Sequence, residues 1–354
     1  MPDAERAVLH VLPHAGGGGD TYVDVLGEMH GYRFRRVYVA GQRKPGMGDV
    51  AAGVVDLSRH LRGYDLVHVH GEATAALLLP LLAARPSVVT LHGLHLLRRV
   101  EGFRRHAATL NLHAIVRTAG RTICVSNAER AELASALGNG ALGQVRVIHN
   151  GAKIAGRASE AERAAVREEL GIPETSSLAI WVGSLDERRD PFVVIRAAMQ
   201  TSTALVMVGD GPLRDRAQRE ARPPVFVVGQ RDDVPRLLAA ADFFVLMSAR
   251  EGLSFALLEA MGHGLPPIVA DVPENLEAIG DAGIAVPYGE EGPLVDALRR
   301  LVANETERAQ LGDRARERIA ASFSAAEMVA RTRSVYDEVC AERIRRRRRG
   351  SRSV

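Results

Sequence analysis

The strongest constraint on this chain is the regular return of short apolar runs separated by stretches of helical character. AVLHVLP (Ala7 to Pro13), RFRRVYVAG (Arg33 to Gly41), DLVHVHG (Asp65 to Gly71) and PSVVTLHGLH (Pro86 to His95) come first, and the segments beginning at Thr122 and Gln144 continue them. A second series starts at Leu178 with LAIWV and runs through TALVMVG, PVFVVG and ADFFVLM. Runs this short and apolar suit strands buried on both faces. Their alternation with helices predicts mostly parallel sheets covered on both sides. In such sheets ligands bind beyond the C-terminal strand ends. The 354 residues leave room for two such domains, each of roughly 150 to 170 residues. A charged helix and turn, Ala158 to Ser177, is expected to connect them.

The richest stretch for chemistry follows the run Phe243 to Met247, which should end as a strand near Ser248. Glu251 and Gly252 make a turn, Leu253 to Met261 read as a helix, and Gly262 and Gly264 supply its stop. Ser254 therefore lies at a helix start. Amides near Leu253, Ser254 and Phe255 carry unpaired N–H groups and the positive end of the dipole, a setting for a diphosphate. Glu251 precedes the helix and Glu259 lies inside it. Carboxylates suit sugar diols because each can accept two charge-assisted hydrogen bonds. Taken alone, the spacing is also that of a surface glutamate and a helix glutamate.

The surrounding residues narrow this. EGLSFALLEAMGHGLPPIVA, with Glu277 beyond it, resembles the signature of the retaining GT-B glycosyltransferases of family four, E-G-x-[SG]-x-x-x-[LVI]-E-A-M-A-x-G-x-P-V-V-A. Gly262 replaces the usual alanine and Pro267 a usual valine. The resemblance implies an α/β fold of GT-B architecture, two Rossmann-like domains facing a central cleft. It implies that Glu251 contacts the donor sugar, Glu259 the nucleotide ribose, and the amides of Leu253, Ser254 and Phe255 the donor diphosphate. TLHG is similar to T-x-H-[DG], which implies that His92 lies close to the transferred sugar.

Other segments fit the same family, with departures. For V-G-R-L-x-x-x-K-G the chain has Ser184 at the arginine position and Arg189 at the lysine position; Arg189 is the expected diphosphate contact and Arg188 a possible substitute for the lost arginine. VIHNGAK, similar to the family's V-I-x-N-G-[VI]-D, has Lys153 where the family has aspartate. VGDGP and the Gly229, Gln230, Arg231 loop resemble the part of the family that brackets the nucleotide base with backbone groups, with Gly229 and Arg231 the expected contacts. The glycine loop Gly16 to Gly19, read before a helix from Thr21, fails the dinucleotide fingerprint because Thr21 or Tyr22 takes the place of its last glycine. It reads either as a flexible turn or as a close approach of backbone to ligand. The resemblance favours the second, with Gly16 and Gly17 beside the donor phosphates.

His68, His70, His92 and His95 gather near two strand ends, with Glu72 close by in sequence. The spacing does not favour a zinc site, because the strand and loop positions do not guarantee convergence; no metal is expected. His92 is the expected catalytic imidazole, and His70 and His95 are expected on the acceptor side. Cys124 and Cys340 are too few and too far apart for a disulfide framework.

The formal charge of +3 arises from 46 basic and 43 acidic residues, and the arginine run after Ile344 exceeds that excess. The body is near neutral. No apolar window is long enough to span a bilayer, and the N-terminus is unlike a signal peptide; a cytoplasmic protein, peripheral at the inner membrane face through its basic tail, is the expectation. No specific nucleic acid partner is expected. The expected domains are 1–157 on the acceptor side, 158–177 as connector, 178–323 for the nucleotide sugar, 324–341 as a helix returning to the first domain, and 342–354 as a disordered basic tail.

The expected reaction moves a sugar from a UDP- or GDP-sugar to a hydroxyl of a small-molecule, glycolipid or polysaccharide acceptor. It retains configuration and uses neither cofactor nor metal. A nucleotide-sugar epimerase and a non-catalytic sugar-binding protein are the alternatives. A phosphorylase lacks its cofactor lysine site, and a dehydrogenase would need nicotinamide binding.

Overall fold

A computed structural model describes residues 5–39, 57, 61, 63–156, 158–173 and 175–350. Contacts divide the chain into two compact units, Met1–Asn150 with Ala325–Val354, and Gly151–Ser324.

The first unit contains strands β1 (Arg6–Leu12), β2 (Tyr32–Tyr38), β3 (Leu66–His70), β4 (Ser87–Thr90), β5 (Arg121–Cys124) and β6 (Val145–Val147). They form one parallel sheet in the order β2-β1-β3-β4-β5-β6. Helices α1 (Gly18–Leu26), α2 (Glu72–Leu77), α3 (Leu79–Ala84), α4 (Gly102–Thr118) and α5 (Asn127–Leu137) connect them, and the final helix, Ala325–Gly350, joins this unit. β3, β4 and β5 are buried along their whole length, polar residues included, as inner strands of a parallel sheet covered on both faces are. Ser126 caps α5 by accepting from the Glu129 amide.

The second unit repeats the plan with β7 (Leu178–Val182), β8 (Ala204–Val208), β9 (Val225–Gly229), β10 (Phe243–Leu246), β11 (Pro267–Ala270) and β12 (Ile284–Val286). Its order, β12-β11-β10-β7-β8-β9, is that of the doubly wound dinucleotide-binding sheet. The helices are α6 (Glu160–Leu170), α7 (Pro191–Thr201), α8 (Arg214–Glu220), α9 (Val234–Ala240), α10 (Phe255–Gly262), α11 (Pro273–Ile279), α12 (Glu291–Ala303) and α13 (Glu305–Ser322). Trp181, Phe243 and Met247 from the strands pack with Phe192, Ile195 and Leu298 from the helices in one core.

Several boundaries differ from the sequence reading. Contacts divide the chain at Asn150 and Gly151, ahead of residue 157. The expected connector helix, α6, is instead part of the second unit. A capping box between Ser159 and Glu162 starts it, and Arg163 and Arg167 bind the Asp242 carboxylate just before β10. Helix α1 begins at Gly18 and not Thr21, because Asp20 in its first turn suits a helix N-terminus. The expected disordered tail is helical in backbone through Gly350: within this helix no glycine or proline precedes that residue, and arginine is a strong helix former. The helical stretch expected from Val54 lies outside the described residues.

Candidate functional site

In the second unit the strand order reverses between β7 and β10, and the residues beyond their C-terminal ends form a small polar cluster. After β7 the chain turns at Gly183, and a short 3-10 turn, Glu187–Arg189, brings Arg189 back over the strand end. The guanidinium Nη1 donates to the Val182 carbonyl at 3.3 Å, and Nη2 lies 3.3 Å from the Glu251 carboxylate, which follows β10. Both side chains are largely enclosed, 14% and 6% exposed. Room for the guanidinium comes from Gly183, where a Cβ would stand 1.9 Å from Nη1. The next loop presses equally close: a Cβ on Gly209, whose φ is +139°, would stand 1.8 Å from the Gly183 carbonyl oxygen. The glycines of VGDGP therefore bring backbone against backbone at this switch point.

Helix α10 starts beside the same cluster. Ser254 is its N-cap, accepting from the Leu257 amide, and no acidic residue lies in the first turn to compete for an anion. Leu253, Ser254 and Phe255 are all buried. Burial pushes the Glu259 carboxyl up to about 7. Gly262 has a local cause of its own: a Cβ there would stand 2.4 Å from the Lys153 carbonyl oxygen. The two departures from the family pattern at 153 and 262 thus touch.

The base-side residues fare differently. Gly229 takes a positive φ of 77° and its carbonyl accepts from the Gly209 amide at 2.8 Å. Arg231 is committed elsewhere, to Asp233 at 2.7 Å and Glu169 at 2.9 Å. A guanidinium matched by two carboxylates has little left for a base, and the contact expected of this loop is one of backbone groups. Arg188 lies 3.7 Å from Asp186, so it too is turned to a carboxylate.

In the first unit the order reverses between β1 and β3. Gly16 and Gly17 follow β1, both with φ of 82°. The Gly16 amide donates to the Asp20 carboxylate, which also binds Arg36 and Tyr38. The loop thus meets its own carboxylate, with which any phosphate at Gly16 would compete.

His10 on β1 is in register with His68 on β3, and His70 lies two residues on along the same face. His10, His68 and His70 are buried. His10 Nδ1 is 2.9 Å from His70 Nε2, and His70 Nδ1 is 2.8 Å from His92 Nε2. His68 is held apart from this row, at 2.6 Å from the Tyr336 hydroxyl and 2.7 Å from the Thr90 hydroxyl. Desolvation lowers the pKa of His10, His68 and His70 well below the usual imidazole range, helped by neighbouring imidazoles. Burial and the nearby His95 push His92 down to about 3.

His70, at 1% exposure, touches His92 and has no face for an acceptor, a correction to its expected role. His95 lies on the turn after β4, half-buried. His92 sits in the left-handed region with φ of 60°, rare for a non-glycine residue. Two buried carboxylates hold its loop: Glu129 accepts from the Gly93 and Val125 amides, and Glu72 from the Leu96 amide. Glu72, close to the histidines in sequence, is thus a loop anchor and not a metal ligand, its carboxyl pushed up to about 6 by burial.

His10, His68 and His70 each offer a nitrogen within 4.8 Å of the others. Their rings are stacked, with interplanar angles of 23° to 37°. Lone pairs in near-parallel ring planes do not converge on one ion, and both His68 nitrogens already have hydroxyl partners. The cluster fits a hydrogen-bonded imidazole row better than a metal centre.

Comparison with known proteins gives these two halves a family. The model described as Glycosyltransferase Family 4 matches residues 8–155, and that described as Glycosyl transferases group 1 matches residues 162–318. N-acetyl-alpha-D-glucosaminyl L-malate synthase of Bacillus anthracis is 28% identical over 186 residues, 49% of this chain and 49% of that protein's own length. UDP-Gal:alpha-D-GlcNAc-diphosphoundecaprenol alpha-1,3-galactosyltransferase of Escherichia coli is 26% identical over 296 residues, 77% of this chain and 75% of its own length. HepE of Anabaena, solved in complex with UDP and glucose, superposes with a TM-score of 0.79 at 19% identity, covering 93% of this chain and 99% of its own. The parallel doubly wound sheets, the motifs at their strand ends and the two matched models together make this chain a member of the family 4 glycosyltransferases with the two-domain GT-B fold.

Proposed function

We propose that the protein transfers a hexosyl group from a UDP-sugar to a hydroxyl acceptor with retained anomeric configuration and without a metal. The observation that carries this reading is the Arg189–Glu251 pair at the β7/β10 switch point, beside the N-terminus of α10. Arg189 and the amides at Leu253, Ser254 and Phe255 bind the diphosphate and stabilise the charge that develops on it as the glycosidic bond breaks. Glu251 accepts from sugar hydroxyls, and Glu259 from the ribose. These fixed positive groups do the work that a divalent cation does elsewhere, which supports metal independence. His92 donates a hydrogen bond to the transferred sugar, and His95 lies toward the acceptor. UDP in the HepE complex and UDP-Gal in the name of the E. coli relative support the donor, and the alpha linkage in that name supports retention. Two free cysteines favour a cytoplasmic setting, and the C-terminal arginines favour a weak contact with anionic lipid.

The first test is thermal stabilisation by UDP, GDP, ADP, dTDP and NAD, since a ligand that binds only the native state raises the melting temperature. A shift with UDP, followed by NMR of the product anomer with and without EDTA, is the expected result. A shift with NAD alone, or an inverted product, would overturn the reading.

A further inference from the structure

The row His10, His70, His92 runs from the middle of the first sheet to the loop after β4, and its hydrogen bonds constrain where each proton sits. All three rings are held neutral by burial, so each carries one ring proton. His70 uses both nitrogens, Nε2 toward His10 and Nδ1 toward His92. Its one proton can serve only one of them, so the row is polarised in one direction throughout.

The direction follows from the far end. His10 Nε2 is buried and has no hydrogen-bond partner among the described residues. If the row ran inward, from His92 Nε2 to His70 and from His70 to His10, this atom would be a buried N–H without an acceptor. If it runs outward, only a lone pair is unpaired, and orphaned buried N–H groups are the rarer of the two. Outward polarity puts the proton of His10 on Nδ1, that of His70 on Nδ1 and that of His92 on Nδ1, with His92 Nε2 accepting from His70.

We propose that His10 and His70 are positioning residues that lock His92 as a neutral imidazole with its proton on Nδ1, so that it acts on a ligand as a hydrogen-bond donor and not as a base. The anchors Glu129 and Glu72 fix the loop, and the histidine row fixes the tautomer on it. Histidine tautomers are set in this way when the second ring nitrogen has a fixed partner. The part of the proposal that concerns catalysis rests on the glycosyl-transfer reading; the tautomer does not.

Long-range proton–nitrogen NMR on the full chain labelled with 15N-histidine tests it, with His92 assigned by its loss in His92→Gln. The expected spectrum has His92 protonated on Nδ1 and unchanged from pH 8 to 5.5. His10→Leu removes the donor at the head of the row and should release His92 into a mixture of tautomers. His10→Asn, whose amide can stand where Nδ1 was, should restore the single form. In a transfer assay His10→Leu should lower kcat by on the order of tenfold, as loss of an orienting partner does for ligating histidines, with donor KM little changed and His10→Asn recovering most of the rate. A proton on Nε2 of His92 in the native protein would overturn the proposal, as would a tautomer indifferent to His10→Leu in a variant that melts cooperatively. Absence of any transfer by the native protein beside a spectrum of the expected form would instead count against the transferase reading alone.

Discussion

The two switch points solve the same problem in opposite ways. In the second unit, the polar groups beyond β7 and β10 keep their charges and pair them, Arg189 against Glu251. In the first unit, the groups along β1, β3 and the loop after β4 give up charge altogether, and burial keeps the imidazoles neutral. A paired charge holds its state across a wide pH range but depends on its partner. A neutral imidazole needs no counter-ion but cannot accept a proton without cost, so acid destabilises the fold around it. The first unit should therefore respond to pH and the second to removal of a partner.

The largest effect expected from this contrast is acid sensitivity. His10, His68, His70 and His92 have folded pKa values below their unfolded value of about 6.5. Their contribution to stability is fully present above that pH and is lost as pH falls toward the folded values. Each costs about 1.4 kcal/mol per pH unit once its unfolded form is protonated. Calorimetry between neutral pH and the acid limit should show the first unit melting ahead of the second; parallel loss of both would break the contrast.

Next comes Arg189→Met, which leaves a buried carboxylate without its cation and should cost on the order of 3 kcal/mol by denaturant titration. Glu251→Gln removes the charge but keeps the shape. It should leave the fold intact and lower kcat on the order of a hundredfold, and unchanged turnover would remove Glu251 from the assigned role.

Glu259 sharpens the comparison, because it is a group in the second unit that burial moves as it moves the histidines. Its carboxyl is raised to about 7, so the neutral acid is favoured in the fold and the cost of ionising it grows as pH rises from the unfolded value to the folded one. Glu259→Gln should accordingly stabilise the unliganded protein at pH 8 by about 2 kcal/mol. If the carboxylate holds the ribose, UDP affinity should fall about tenfold per unit as pH drops below 7, with proton release seen by calorimetry in two buffers. A pH-independent affinity would detach Glu259 from the nucleotide. The smallest effect is expected of Gly183→Ala, whose methyl displaces only the end of the Arg189 side chain. Donor KM should rise several-fold, with a fall in melting point smaller than that of Arg189→Met because the cation is shifted and not removed.

Much of this was legible in the sequence because it is local. Strands β7 and β10 appear as apolar runs, α10 as a helix opened by Ser254, and short motifs single out Glu251, Arg189 and His92. What was not legible depends on residues far apart in the chain. His10 reads as one polar position in an apolar run, and nothing near it in sequence indicates that it meets His70. Glu129 reads as an ordinary residue in the first turn of α5, yet it holds the loop of His92. Arg231 reads as part of a loop whose backbone faces the base, and only the fold brings Glu169 to its side chain.

By itself, then, the sequence determined two doubly wound sheets and the strand ends at which chemistry gathers, because period, capping and turn residues act over a few positions. The tertiary structure alone decided which side chains are charged, paired or neutral at those ends. Desolvation and hydrogen-bond direction depend on what packs around a group from every side, and in this chain those neighbours come from distant segments.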